Sequence, residues 1–413
     1  MKRTIVSLVH RDRVPGTPEN YTKEDLKVVK EMIAEALDLI GGINKFVDAG
    51  DRVLLKPNIL GPLPPERGVT TDPRVMEALI EYVYEQTKAR EVIVGENSAV
   101  PTIFGSTRKA FEVSRIAEVC KRTGATMAYF DEEIQVQVAV QNAKVFPRFH
   151  IPKRLLDCDV YITVPKLKTH IFTVISCCLK NQLGLLPWAD KQLAHRNEIS
   201  YKLVDIYRVI RPNLAVVDGL WAMQGQGPFS PFREDIIQDM NLILAGTDCV
   251  AVDAVAAATM GFDPLEIDTI RVAQSEGLGV ADLSQIEVRG AKIEDVKRNF
   301  KKPTNELIAV FRNVDVYEGA SCIACRSFLR VALDSLKADG TLEKIQEKVV
   351  FIVGARTTIP ENLKDMKTPI FVCGQCAEEY KNLTHNTIYI PGCPPWGLHF
   401  ISDIIRKLAV TSY

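Results

Sequence analysis

The sequence lacks a long hydrophobic run, a basic tail and an excess of charge of either sign. Its 413 residues carry a formal net charge of −1, and 46% of them are hydrophobic, which is typical of an ordinary globular protein. No stretch reaches the roughly 18 apolar residues that predict a membrane-spanning helix. Without a basic block, nothing indicates nucleic-acid binding. We therefore expect neither a membrane nor a nucleic acid as a partner.

An export signal and a nucleotide-binding motif are also lacking. The short apolar run before Arg11 predicts a first strand and no signal peptide, so we expect a reducing, cytoplasmic location. The glycine loop from Met223 to Pro228 lacks the spacing of a P-loop or of a dinucleotide-binding turn. The length predicts two or three domains. The charged segment from Lys292 to Glu306 suggests a boundary, which gives domains at 1–300 and 301–413.

Half of the ten cysteines lie between Cys322 and Cys393. They form Cys322-x-x-Cys325, Cys373-x-x-Cys376 and a Cys393-Pro394 step. Such pairs can converge on one metal centre. The long separation between the pairs is unusual for structural zinc, and a Cys-Pro step occurs in ferredoxins. The pattern favours a [4Fe-4S] cluster over zinc, and five buried thiols without a metal remain the alternative.

Short apolar runs and helical stretches alternate around these cysteines, which predicts a small parallel sheet. The predicted strands are 314–317, 349–353, 369–372 and 387–390, and the predicted helices are 327–337, 377–383 and 397–408. Cys373 ends a strand and is expected to be a core thiol, whereas the others lie at strand-to-helix turns, where helix N-termini favour thiolates. We predict the metal ligands Cys322, Cys325, Cys376 and Cys393.

The preceding part of the chain repeats strand and helix patterns. Strands are predicted at 51–56, 91–95, 126–130, 159–165, 214–218 and 241–245. This order predicts an α/β fold, with a doubly wound, mostly parallel sheet domain followed by the smaller α/β cysteine-bearing domain. The alternating segment 136–145 predicts a hairpin or an edge addition.

Polar side chains follow several of these strands. Burying lysines there is costly unless they face solvent or an anion, and a solvated loop is the alternative. The segment 171–184 is predicted as a buried helix that presents a lysine. We predict an anionic small-molecule substrate, with Lys168, His170 and Lys180 as catalytic residues, and Lys56, Asn58, Lys166, Asn181 and Asp218 as binding residues.

We expect structural roles for Asp253, Cys177 and Cys178. Asp253, within an apolar helix, is expected to pair with a lysine or to cap a backbone segment. Cys177 and Cys178 lack the Cys-x-x-Cys spacing and are expected to be core residues.

Four segments resemble the domain of unknown function 362 family over roughly residues 50–265. They are Val53 to Asn58, Val164 to His170 with Lys180 to Gly184, Val217 to Gly219 with Gly225 to Pro228, and Gly246 to Asp248 with Val252 to Asp253. The resemblance implies iron-sulfur ligands. The appended ferredoxin run that is usual in the family is absent, so it implies one cluster. The chain is more distantly similar to the lactate racemase apoprotein, in which a nickel-pincer cofactor is held by a lysine and histidines. His170 and its neighbouring lysines are the candidates here.

Three functions remain open from the sequence. The first is an iron-sulfur oxidoreductase that receives single electrons from a protein such as a ferredoxin and passes them to the anionic substrate. The second is a racemase-like or lyase-like enzyme with a structural or Lewis-acid cluster. The third is a non-catalytic metal-binding protein.

Overall fold

The computed structural model describes residues 3–98, 105–307, 313–345, 348–365, 369–398 and 403–405. The chain divides into two compact units. The first contains Met1–Lys191, Glu198–Phe229 and Arg233–Lys302, and the second contains Gln192–Asn197, Ser230–Phe232 and Pro303–Tyr413.

Both units contain β-strands. In chain order they are β1 Thr4–His10, β2 Arg52–Pro57, β3 Glu91–Glu96, β4 Thr126–Tyr129, β5 Gln135–Ala139, β6 Arg148–Pro152, β7 Val160–Val164, β8 Lys166–His170, β9 Val174–Ser176, β10 Leu214–Met223, β11 Ile236–Ile237, β12 Leu242–Gly246, β13 Ile286–Gly290, β14 Val314–Glu318, β15 Val349–Val353, β16 Ile370–Cys373 and β17 Thr387–Ile390.

The α-helices lie between these strands. They are α1 Lys23–Asp38, α2 Pro73–Thr87, α3 Thr107–Val113, α4 Ile116–Thr123, α5 Lys153–Asp157, α6 Cys178–Asn181, α7 Trp188–Ala194, α8 Ile199–Val209, α9 Cys249–Thr259, α10 Asp268–Ser275, α11 Ile293–Val296, α12 Ile323–Ala338 and α13 Thr341–Lys344. None of the helices in the described ranges is long and apolar enough to cross a membrane.

The first unit is organised around one large mixed sheet with the strand order β13-β1-β12-β10-β7-β2-β3-β4. Strands β10, β7, β2, β3 and β4 are mutually parallel, and β12 runs antiparallel to both of its neighbours. The predicted α/β fold with a mostly parallel sheet is confirmed. The alternating segment 136–145 contributes only one strand of a hairpin, because β5 pairs with β6, which lies beyond that segment, as a separate antiparallel ribbon.

Alternate residues of the central strands enter two different cores. Val216 and Ile243 pack with helices α1 and α2 in one core, whereas Val217 and Leu244 pack with α9 and α10 in the other. A strand directs successive side chains to opposite faces of a sheet, so both faces of this sheet are covered by helices. This explains the continuous apolar runs in the central strands β7, β10 and β12, which are buried throughout.

Two details of the first unit differ from the predictions. Residues 166–170, which lie beyond the predicted strand 159–165, form a further strand, β8, which pairs with β10 and with β9. The predicted helix 171–184 is largely wrong: β9 occupies part of it, helix α6 covers only Cys178–Asn181, and a 3-10 helix follows at Gln182–Leu185. The segment folds back as a hairpin because β8 still has a free edge for β9.

The second unit contains the predicted parallel sheet, in the order β14-β15-β16-β17. Its core includes Val350, Ile352, Ile370 and Val372. Helix α12 starts at Ile323, earlier than predicted. The predicted helix 377–383 is instead a 3-10 helix at Gln375–Tyr380. Most of the predicted helix 397–408 lies outside the described residues.

A buried carboxylate fixes the segment that follows the β5 strand. Asp205, on helix α8, is completely buried and accepts hydrogen bonds from the backbone N–H groups of Lys144, Val145 and Phe146 at 2.9–3.0 Å. Because these amides have a charged acceptor in a dry site, each bond is stronger than one between neutral groups.

Replacing Asp205 with alanine should lower the free energy of unfolding by about 3 kcal/mol, since the amides would lose their acceptor. Urea denaturation followed by circular dichroism measures the effect. Asp268→Ala is the matched control, because Asp268 is exposed and forms a surface ion pair with Arg271. Equal midpoints for the two variants would show that Asp205 has no anchoring role.

Candidate functional site

The candidate site of the first unit lies where adjacent parallel strands end. Lys56 is next to the last residue of β2 and Glu96 is the last residue of β3, while Lys166 and Lys168 belong to β8 just beyond the end of β7. Strands β7, β2 and β3 are neighbours in the sheet. Ligands bind to open α/β sheets at this edge.

Lys56 and Glu96 form a buried ion pair, with 2.7 Å between Nζ and Oε2. The Lys56 amine also contacts Oδ1 of Asn181 at 3.2 Å, and the Glu96 carboxylate accepts from the backbone N–H of Asn97 at 2.9 Å. Burial lowers the pKa of Lys56 and raises the pKa of Glu96, although each partner opposes the shift in the other.

Gly184 lies directly against this pair. A Cβ atom at this position would be 1.9 Å from Oε1 of Glu96 and 2.4 Å from Nζ of Lys56. Its carbonyl accepts from the backbone N–H of Asn97 at 2.9 Å. Only glycine permits this close approach of the backbone to the ion pair.

A second buried pair joins Lys166 and Asp218 at 2.9 Å. Asp218 lies inside β10, which continues beyond the strand end predicted there. Its Oδ2 atom also accepts from the backbone N–H of Asp72 at 2.7 Å, and burial, reinforced by the charge of Asp72, raises the pKa of Asp218. Asp72 in turn caps helix α2 and binds Arg74 at 2.7 Å.

Lys168 and Lys180 have no carboxylate partner in the part of the chain that the structure describes. The buried Lys168 amine donates to the carbonyl of Val69 at 2.7 Å, and its pKa is held well below the usual range by burial and then by the charges of Lys180 and Lys166. Lys180 is partly exposed. Burial, followed by the charges of Lys191 and Lys56, lowers its pKa to about 7.

His170 and Asn58 follow the same strands. His170 is buried at the end of β8, and its Nδ1 atom accepts from the backbone N–H of Phe172 at 3.1 Å, which leaves the proton of a neutral ring on Nε2. Asn58 lies one residue beyond β2, and its buried Oδ1 atom has no hydrogen-bond partner in the described chain. A buried acceptor without a partner is unfavourable unless a ligand or water satisfies it.

The structure thus brings together most of the predicted site residues of the first unit. Electrostatic contacts connect Lys56, Lys166, Lys168 and Lys180, and Asn181 and Asp218 bind members of this group. The sequence reasoning missed Glu96 and Lys191. Glu96 carried a usable signal, since it is an acid at the end of a buried strand. Lys191 carried none, because it lies in an ordinary amphipathic segment.

The four predicted metal ligands form the second candidate site, within the second unit. Cys322 is the N-cap of helix α12 and Cys325 lies in its first turn. Cys376 is exposed in the 3-10 helix Gln375–Tyr380, and Cys393 follows β17. The pKa of Cys322 is lowered to about 5 by a hydrogen bond from Cys325 and by backbone N–H groups.

The causes of the pKa shift of Cys325 show which thiols are its neighbours. Its pKa is raised first by the hydrogen bond with Cys322, then by burial, and then by the charges of Cys322, Cys376 and Cys393. Cys373 is completely buried at the end of β16, and burial alone raises its pKa. Its position as a packed core thiol agrees with the prediction.

A further cysteine group occurs in the first unit. The ligand atoms of Cys177, Cys178 and Asp253 lie within 4.8 Å of one another, so this group could hold a metal ion. Asp253 accepts from the backbone N–H groups of Cys178 at 2.7 Å and Leu179 at 3.0 Å. The expectation that Asp253 caps a backbone segment is confirmed.

Replacing Glu96 with glutamine should lower the free energy of unfolding by about 3 kcal/mol, because Lys56 would remain buried without its counter-charge. Glu132→Gln is the matched control, since Glu132 pairs with Arg108 at 2.6 Å on the exposed surface and exposed pairs contribute little. Urea denaturation compares the two variants. If both lose the same small amount, the Lys56–Glu96 pair does not organise the site.

Comparison with known proteins agrees with the resemblance found in the sequence. Residues 53–258 match the family described as "Domain of unknown function (DUF362)". The "Thylakoid-associated protein sll1697" of Synechocystis sp. is 29% identical over 248 residues, which are 59% of this chain and 73% of that protein.

Among solved structures, the lactate racemase apoprotein from Thermoanaerobacterium thermosaccharolyticum matches with a TM-score of 0.40 and 10% identity. The match covers 99% of this chain and 82% of that one. The family assignment rests on the sequence match, and by it the chain belongs, through residues 53–258, to the DUF362 family.

Proposed function

We propose that the protein is an iron-sulfur oxidoreductase. In this proposal Cys322, Cys325, Cys376 and Cys393 bind one [4Fe-4S] cluster, and the lysine group of the first unit binds an anionic small-molecule substrate. The observation that carries the proposal is that Cys325 interacts with the other three of these thiols, whereas Cys373 of the second Cys-x-x-Cys pair is packed in the core.

The separation of the ligand pairs along the chain supports a cluster over a single zinc ion, because structural zinc sites usually keep both pairs within a short segment. A cubane binds one cysteine at each of four separate irons.

The local electrostatics also fit a thiolate-bound group. Cys322 lies at the N-terminus of the 16-residue helix α12, where the helix dipole and free N–H groups stabilise negative charge. Gly374 leaves room beside the site, since a Cβ atom at this position would be 3.0 Å from Sγ of Cys325. When bound, a [4Fe-4S] cluster exchanges single electrons.

The exposure of one ligand supports transfer from a protein donor. Cys376 is exposed, whereas Cys325 is buried, so the proposed centre would lie close to the surface of the second unit. A small electron-transfer protein such as a ferredoxin is therefore the partner we propose. The cytoplasmic location remains a prediction.

The charges of the first unit support an anionic substrate. Electrostatic contacts connect Lys168 with Lys56, Lys166 and Lys180, and Lys180 with Lys191. Glu96 and Asp218 bind Lys56 and Lys166. An anion would offset the remaining positive charge. His170, with its proton on Nε2, would donate a hydrogen bond to the substrate and stabilise charge that develops on it.

Anaerobically reconstituted protein should contain about four iron and four sulfide per chain. Cys376→Ser should lose most of the iron and the visible absorbance, because it removes a ligand. Cys373→Ser is the matched control and should keep both. Iron, sulfide and zinc analysis with visible spectroscopy makes the comparison. One zinc without sulfide, or loss of iron only from Cys373→Ser, would contradict the proposed centre.

Lys180→Met should weaken the binding of propionate by about tenfold, because a charge-assisted hydrogen bond contributes roughly 1.5–3 kcal/mol. Binding to the unmodified protein should also weaken as the pH rises above about 7, where Lys180 loses its proton. Isothermal titration calorimetry measures both effects. Lys109→Met, at an exposed lysine, is the control, and an equal loss there would indicate non-specific binding.

A further inference from the structure

Lys180 differs from the other lysines of its group in its contacts. Lys56 and Lys166 are paired with carboxylates, and Lys168 donates to a backbone carbonyl. Within the described residues, the Lys180 amine has no hydrogen-bond or ion-pair partner. It is also partly exposed, whereas the other three are buried. Of these four amines, Lys180 is the one that could bind an incoming molecule without breaking an existing bond.

The surroundings of Lys180 favour its neutral form. Its charged neighbours are Lys191 and Lys56, and Lys168 experiences its charge in turn. Desolvation together with neighbouring cations is an established way to make a lysine nucleophilic. With the pKa lowered to about 7, roughly half of the amine is neutral at pH 7, whereas an ordinary lysine with a pKa of about 10.4 is almost completely protonated.

The position of Lys180 is fixed by the structure around it. It lies in helix α6, and the adjacent Asn181 is held by Lys56 and by Oγ1 of Thr163 at 2.9 Å. The start of the helix is held by the Asp253 carboxylate. A nucleophile on such an anchored segment is held in place for reaction.

We propose that Lys180 forms an imine with the carbonyl carbon of a small 2-oxo carboxylate. This proposal rests on the anion site of the proposed function and names its substrate class, and it is independent of the cysteine centre. The amine nitrogen adds to the carbonyl carbon, the carbonyl oxygen leaves as water, and a C=N bond replaces the C=O bond. The step involves no net oxidation or reduction.

A carboxylate suits this site better than a phosphate. The backbone N–H groups of Cys178 and Leu179, which begin helix α6 and would otherwise serve a phosphate, already donate to Asp253. The available donors are separate amines, which bind a small carboxylate one by one. A 2-oxo acid would place its carboxylate among the amines around Lys180, which are those of Lys191, Lys56 and Lys168, and its carbonyl carbon at the Lys180 amine.

The test is reductive trapping. The full-length protein is incubated with pyruvate and sodium cyanoborohydride at neutral pH, and modified lysines are located by peptide mass spectrometry. We expect an N-(1-carboxyethyl) group on Lys180, at least about tenfold more abundant than on the exposed Lys109, because the neutral amine is the reactive form. Lys180→Arg and Lys180→Met should lose this modification while keeping their circular dichroism spectra.

The internal comparison with Lys109 needs no variant, so a folding defect cannot obscure the result. Equal labelling of Lys180 and Lys109, or no label on Lys180, overturns the proposal. Titration with propionate distinguishes failure of the imine proposal from failure of the anion site. If propionate binds and Lys180 is not trapped, the imine is wrong and the anion site stands. If neither occurs, both are wrong.

Discussion

The burial of amino groups at the carboxyl ends of the central strands is the constraint on which the first unit depends. An ammonium group removed from water loses several kcal/mol of solvation that only an opposite charge, a set of hydrogen bonds or the loss of a proton can offset. The structure uses all three. Lys56 and Lys166 have carboxylates, Lys168 has a carbonyl, and Lys180 has a pKa near neutrality. Lys180 has no such partner among the described residues, and it is therefore the lysine of this group that is available to react with a substrate.

In the second unit the buried ionisable groups are thiols, whose charged form is negative instead of positive. A buried thiolate is as unfavourable as a buried ammonium, and burial raises the pKa of Cys373 accordingly. Cys322 avoids this because the N-terminus of α12 supplies N–H groups and a favourable dipole. Two cysteines in similar Cys-x-x-Cys motifs thus differ in character, since one ends a buried strand and the other begins a helix.

The sequence was a good guide wherever a local pattern decided the structure. Apolar runs and turn residues predicted both parallel sheets, and the strand position of Cys373 predicted its burial. The sequence was a poor guide where distant partners decided. Strand β8 contains two lysines, a leucine, a threonine and a histidine, and it is stable because β10 and β9 pair with it and Asp218 binds Lys166. Likewise, the position of Glu96 at a strand end is visible in the sequence, but its pairing with Lys56, forty residues earlier in the chain, is not.

Because Gly184 contacts the Lys56–Glu96 pair, the residues that are tolerated at these three distant positions depend on one another. A side chain at residue 184 would occupy the space of the Glu96 carboxylate, so a larger residue there requires a shorter acid, or none, at residue 96. Losing that acid would in turn leave Lys56 buried without its counter-charge. In relatives that keep this backbone, residues 56, 96 and 184 should therefore vary together, and single changes among them should be rare.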